Sequence, residues 1–486
     1  MIDEPQKSEE FGAAGSAGNT VSAPVSGPVS DNNHDHSVTI NRDFVQAIKR
    51  ALALPAADDA RVQLGALVDP LHAADLADVL EHLKPDQRSR LIALMGSDLD
   101  AEMLSELDES VRDEVLTQIE PQRLAEAITE LDSDDAVHLI EDLEAPHQRE
   151  ILSTMPVEER SALEEGLSYP DESAGRLMQR ELIAVPSYWN VGQVIDHLRE
   201  SDDLPNIFHE IYLIDPTYHP VGSVPLNRIL RTKRPVQVSD IMDTDHRTVP
   251  VEMDQEEVAF LFQQYDLVSV PVVDDAGRLI GMITIDDVVD VVQEEAEEDI
   301  MRLAGVPEGA LYDSVLKATG ARFSWLLLNL LTAILASVVI AVFDASIEKV
   351  VALAILMPVV ASMGGNAGTQ TLTLTVRALA TREMTAANAA RIINKEVLIG
   401  GVNGLVFAAL AGVIAGLWFQ DFALGLVLGA AMIINLVVAG CAGILIPLGM
   451  VRLRVDPALA SSVFVTTITD MVGFFAFLGL ATIWIV

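Results

Sequence analysis

The sequence predicts a multidomain membrane protein with an all-α superhelical domain at the front, then a tandem α/β repeat, an acidic connecting helix and five membrane helices. Three observations predict it. Half of the 486 residues are hydrophobic, yet 72 Asp and Glu stand against 31 Lys and Arg, a net charge of −41. From Thr319 onward eight bases meet seven acids, so the first 318 residues carry −42. The hydrophobic period also changes along the chain, from helical spacing to alternation to long uncharged runs. So acidic a surface excludes phosphate-backbone binding and leaves cations as natural partners.

Residues 1–40 are rich in Ser, Ala, Gly and Asp and lack the basic start and apolar run of a signal peptide. They read as a disordered tail, in which His34 and His36 are either solvated or a loose metal contact. The single cysteine, Cys441, stands in an apolar segment. That excludes a disulfide framework within the chain and suits a reducing cytosol for the soluble part.

Residues 41–170 show short runs such as Ala74 to Leu83, Leu104 to Ile119 and Leu124 to Leu131, with apolar residues at helical spacing. They predict an acidic helical domain without a catalytic constellation. In residues 178–236 and 237–292 a repeat emerges at an offset of 59, which lays Gly222 on Gly281 and Ile211-Tyr212-Leu213-Ile214-Asp215 on Val270-Pro271-Val272-Val273-Asp274. Each copy reads as helix, strand, turn, strand, helix.

Residues 287–322 are expected to form the acidic connecting helix. Along it Asp287, Asp290, Glu294 and Glu298 recur at steps of three and four, with Asp299 adjoining. Like charges at that spacing destabilise a helix by about 0.2–0.5 kcal/mol per pair. Either the face is solvated or a cation neutralises it. Mg²⁺, which prefers carboxylate oxygens and keeps much of its water, suits such a face where it meets another domain.

The membrane part, 323–486, contains uncharged stretches at 323–343, 350–376, 397–420, 422–451 and 457–486, each of 21 residues or more. About 20 apolar residues span a bilayer. The loops alternate in basic residues: Lys349 alone in the first, Arg377, Arg382, Arg391 and Lys395 in the second, none in the third, Arg452 and Arg454 in the fourth. By the positive-inside rule this puts the acidic portion in the cytosol and the C-terminus outside, in a multi-pass cytoplasmic-membrane protein. Glycines four apart, Gly400 and Gly404, Gly412 and Gly416, Gly425 and Gly429, suit close helix packing, within one bundle or between subunits.

The second stretch carries Ser362-Met363-Gly364-Gly365-Asn366-Ala367-Gly368-Thr369-Gln370 and is expected to be irregular, either a pore lining through Gly365, Asn366 and Gln370 or a packing notch. Asp470 is the single acid within any predicted span. It stands 13 positions after Pro457, which places it about 20 Å into the membrane. Ser462, Thr466, Asp470 and Gly473 share one helical face. With no base in any span, the carboxylate is either protonated within the bundle or part of a cation path.

The repeat resembles paired CBS domains, a family of adenosine-ligand sites and regulatory hinges. Gly281-Met282-Ile283-Thr284-Ile285-Asp286-Asp287 looks like its ribose-contact motif, which implies one ATP site at Thr284 and Asp287. The first copy has Pro225 and Arg228 in those places. The whole order, together with the GGNAGTQ core of Pro358 to Gln370, the following Arg377-Ala378-Leu379-Ala380-Thr381-Arg382 and Thr466-Thr467-Ile468-Thr469-Asp470-Met471-Val472-Gly473, resembles the MgtE family of magnesium channels. The resemblance implies a homodimer with a Mg²⁺-selective pore on the two-fold axis, Asp470 as its carboxylate, and Ser462 and Thr466 in pore-lining places. It further implies regulatory Mg²⁺ at Asp134, Asp254, Glu256, Asp266, Asp287, Asp290, Glu298 and Asp299, closing the pore when cytosolic Mg²⁺ is plentiful. His138 stands four residues after Asp134, where the resemblance implies another acid. A proton- or sodium-coupled carrier and a non-conducting cation or nucleotide sensor are the alternative readings. No HExxH, phosphate loop or nucleophile elbow points to an enzyme.

Overall fold

The computed structural model describes residues 42–96, 101–141, 143, 145–201, 204–205, 207–306, 315–385, 387–459 and 462–486. The expected tail, with His34 and His36, lies outside the described residues.

Short helices run from Arg42–Leu52 to Val157–Gly166. None is long enough to be stable alone in water. They fold by sharing a core in which Ile48, Leu80, Leu91, Leu104, Leu116, Leu124, Leu139 and Ile151 are fully buried. Pro85 and Pro121 each open a helix, where the missing N–H costs nothing.

The two repeats form two three-stranded sheets of identical topology. In the first, β1 (Ala184–Pro186) runs parallel to β2 (Glu210–Ile214), which pairs antiparallel with β3 (Pro220–Pro225). In the second, β4 (Val249–Pro250), β5 (Ser269–Val273) and β6 (Leu279–Thr284) do the same. The repeat offset survives in the register: Leu213 faces Gly222 as Val272 faces Gly281, and an irregularity follows each. Both glycines make room for a crossing strand. A Cβ at Gly222 would lie 2.6 Å from the Asp243 carbonyl oxygen, and one at Gly281 would lie 2.9 Å from that of Gln179. Each crossing segment precedes the other repeat, so the two sheets brace each other.

The connecting helix runs Ile285–Ala304 and stops at Gly305, whose left-handed φ of 66° suits glycine. It is therefore shorter than the expected 287–322. Among the described residues five helices are long and apolar enough to cross a membrane: Val315–Ala341, Ala352–Ala380, Ala389–Trp418, Phe422–Arg452 and Ser462–Trp484. Here they are the first to fifth membrane helices.

Two expectations fail in this bundle. The second membrane helix is continuous through GGNAGTQ and through Pro358, because its glycines are seats for neighbours. A Cβ on Gly443 of the fourth helix would come within 2.8 Å of the Gly368 carbonyl oxygen, and a Cβ on Gly364 would strike Asn435. The fifth helix begins at Ser462, after a short 3₁₀ turn at Pro457–Leu459. Asp470 is thus eight residues into a 23-residue helix, about 12 Å from its start. The spaced glycines of the third and fourth helices meet within the chain: a Cβ on Gly412 would lie 2.8 Å from the Gly425 carbonyl oxygen.

Candidate functional site

On the fifth helix Ser462, Thr466 and Asp470 are each partly exposed on one face. Thr466 Oγ1 donates to its own helix backbone, at 2.8 Å from the Ser462 carbonyl and 3.1 Å from that of Val463. The Asp470 carboxylate has no ion pair or hydrogen bond among the described residues. Gly473 departs from the expected face: it is buried, with the Asn435 amide 2.8 Å from where its Cβ would be.

The second helix lies alongside. A Cβ on Gly365 would sit 3.2 Å from Thr466 Cγ2, so Gly365 spaces the two helices rather than lining a path. On the neighbouring face of the same helix Ser362, Asn366, Gln370 and Thr373 point out of the bundle, all exposed. Amides at that depth need protein or water against them.

The soluble part holds a second acidic site. Glu181 accepts from Ser133 N at 3.2 Å and from Ser133 Oγ at 2.8 Å, pinning the start of the helix Ser133–Glu141 against the repeat pair. This turns Asp134, Asp135 and His138 towards the connecting helix. Between them lies a cleft of about 1100 Å³ whose lining includes Asp134, Asp135, Asp287, Asp290, Glu294 and Glu298.

The acids there are crowded and short of counter-charge. Burial, then Asp287 and Asp135, holds the Asp134 carboxyl well above the usual range. Burial pushes Asp287 up to about 7, against a 2.8 Å bond from Thr284 Oγ1, and pushes Asp135 up to about 6. Asp290 and Glu294 rise for the same reason, and His138 partly offsets both. Thr284 and Asp287, expected to hold a ribose, are therefore joined to each other, and Asp287 also faces the cleft.

Further along the connecting helix a second acidic group forms. Asp254 caps the helix Gln255–Tyr265 by accepting from Glu256 N at 2.9 Å. Burial, then Glu295, Asp254 and Asp299, raises Glu256; burial, then Asp456 and Glu295, raises Asp299 to about 6. Glu298, expected among the regulatory acids, already has a partner within the chain. It pairs with Arg302, which also bonds Asp456 at 2.6 Å and so ties the connecting helix to the entry of the fifth membrane helix. Asp266 stands apart from both groups, as the left-handed C-cap of Gln255–Tyr265 with φ 51° beside an apolar hollow.

A direct strut joins the second repeat to the membrane bundle. Arg382, in the turn between the second and third membrane helices, lies 3.4 Å from Glu257 and 4.1 Å from the centre of the Phe260 ring. Among the described residues no three or more His, Cys, Asp or Glu side chains converge as a closed metal cage. Paired carboxylates across a wet cleft suit a hard cation that keeps part of its water. Sequence reasoning missed Asp135, Asp456 and the role of Arg382. The run Asp132-Ser133-Asp134-Asp135 was a signal for the first; Asp456 is brought to Asp299 by the fold alone.

Comparison with known proteins places these parts. Residues 357–480 match the profile of MgtE, a divalent cation transporter; residues 71–172 match the MgtE intracellular N domain, and residues 238–294 a CBS domain. The magnesium transporter MgtE of Enterococcus faecalis is 33% identical over 327 residues, covering 67% of this chain and 72% of that one. Its namesake in Thermus thermophilus is 32% identical over 425 residues, covering 85% and 93%. Among solved structures, the cytosolic domain of the Mg²⁺ channel MgtE in complex with ATP is 29% identical, with a TM-score of 0.47, over 51% of this chain and 99% of that one.

Proposed function

From the premise that the chain belongs to the MgtE family of magnesium transporters, we propose that it is a homodimeric Mg²⁺ channel of the cytoplasmic membrane, closed by cytosolic Mg²⁺. The observation that carries this reading is Asp470: a carboxylate in a membrane helix, partly exposed beside Ser462 and Thr466, with no cationic partner among the described residues. A charge at that depth is costly unless something positive or wet compensates it. Two such carboxylates across a symmetry axis attract a hydrated divalent ion without stripping it, which favours Mg²⁺ because it sheds water reluctantly. The exposed Asn366 and Gln370 amides supply polar walls and explain why this face needs a second copy or water.

The acidic cleft supplies the regulation. Its donors are carboxylates, several held above their ordinary range by burial and by one another, and they fit a hard divalent ion. Bound there, Mg²⁺ would supply positive charge. Asp134 and Asp135 then stay docked on Asp287 and Asp290, and the connecting helix, through Arg302 and Asp456, holds the entry of the fifth helix. With that charge removed, mutual repulsion separates the two faces and the open population grows. Thr284 and Asp287 would hold the ribose of ATP at the CBS pair, which makes nucleotide and cleft compete for one carboxylate.

Reconstituted protein in liposomes tests the proposal. Mg²⁺ uptake driven by a Mg²⁺ gradient alone, and suppressed by Mg²⁺ on the side of the soluble domains, is expected. Uptake that needs a proton or sodium gradient would replace the channel with a coupled carrier, and no uptake at all would leave a sensor.

A further inference from the structure

Asn435 lies in the fourth helix, 13 residues from its start at Phe422, about 20 Å along it. It is fully buried. Its Nδ2 donates to the Val360 carbonyl of the second helix at 2.9 Å, while its Oδ1 has no partner among the described residues. The same amide fills the space above two glycines. A Cβ on Gly364 of the second helix would collide with it, and a Cβ on Gly473 of the fifth would lie 2.8 Å from Nδ2. The fourth helix thus sends one polar group between the two helices that bear the exposed amides and Asp470.

An apolar side chain of the same shape would fill this space without burying an unpaired acceptor, and on packing grounds it would be favoured. The amide does what a leucine cannot: it fastens the second helix by a directional bond while its edge bears on Gly473, three residues beyond Asp470.

We propose that Asn435 is a positioning residue for cation passage, fixing the distance between the Asn366 and Gln370 face and the Asp470 carboxylate. The inference rests on the reading of Asp470 as part of the path. Small misplacements at a functional site cost large factors even when nothing touches the reacting group.

The test compares full-length wild type with Asn435→Leu, Gly364→Ala and Asp470→Asn in liposomes, with flux normalised to inserted protein and thermal unfolding followed in parallel. Asn435→Leu, and Gly364→Ala through displacement of the amide, are expected to move the half-saturating Mg²⁺ concentration of the inserted protein by about tenfold and to admit Ca²⁺, with unfolding near wild type for Asn435→Leu and lowered for Gly364→Ala. A purely structural role would change the yield of inserted protein and leave both properties of the inserted fraction unmoved, which would overturn the inference. Should Asn435→Leu fail to insert, Gly364→Ala decides alone, since a methyl on a helical glycine leaves the backbone intact. A silent Asn435→Leu beside an inactive Asp470→Asn overturns this inference only; an active Asp470→Asn overturns the path itself.

Discussion

The membrane bundle and the acidic cleft both gather carboxylates, and they do so in opposite ways. In the bundle Asp470 stands apart from any base among the described residues, while the buried Glu396 of the third helix accepts from Thr371 Oγ1 at 3.3 Å. In the cleft Asp134, Asp135, Asp287, Asp290 and Glu294 crowd together with His138 among them. A lone site can attract an ion without trapping it, which conduction requires. A crowded site whose two walls belong to different domains turns ion binding into docking, and the steepness of its response comes from the number of charges released together.

On the regulatory side of this contrast, the largest effect comes from the cleft. Asp287→Ala with Asp290→Ala should raise the Mg²⁺ concentration needed for closure by about tenfold or more, a coupling in the usual range of 1–3 kcal/mol. Inhibition curves on inside-out patches measure it. Closure at the unchanged concentration would show that the cleft is not the sensor.

Acid should act as a weaker substitute for the metal. Carboxyls raised in the docked state, Asp287 to about 7 and Asp135 to about 6, favour that state when protonated and lose the contribution as pH rises through those values. In metal-free buffer, protease protection of the soluble part should be strong near pH 5 and fade between about pH 6 and 7. With Mg²⁺ present it should persist above that window. Protection that rises with pH would reverse the sign and break the account.

The smallest effect belongs to the Arg382 strut. Its pair with Glu257 is exposed, and such pairs contribute about 0.2–1 kcal/mol. Arg382→Glu should shift the closing concentration by less than about fivefold, and Glu257→Arg in the same protein should restore it. Failure of the swap would leave the ring contact with Phe260 as the working part.

Much of this was legible in the sequence. The repeat offset was visible because paired strands place each glycine under a crossing strand, so Gly222 and Gly281 recur with their neighbours. The five spans followed from apolar length. Their inner logic was hidden, because a glycine run in a helix reads alike whether it breaks the helix or seats a neighbour. Gly364 and Gly368 are explained by Asn435 and Gly443, some 70 residues later. The same holds for Glu298, whose partner Arg302 reaches Asp456 across a separation of 154 residues. Asp266 matched a pattern of acids, and the fold adds that it is also the left-handed C-cap of its helix, a turn that an Asp tolerates.

The central claim is that a passing hydrated cation, rather than a fixed neighbour, balances Asp470. Mg²⁺ flux through Asp470→Asn in liposomes, measured with no Mg²⁺ on the side of the soluble domains so that the cleft is released, tests it most directly. The account predicts correctly inserted protein with flux reduced by about a hundredfold or more, roughly 2.8 kcal/mol or above. Flux at the wild-type level from the neutral, isosteric side chain would contradict it.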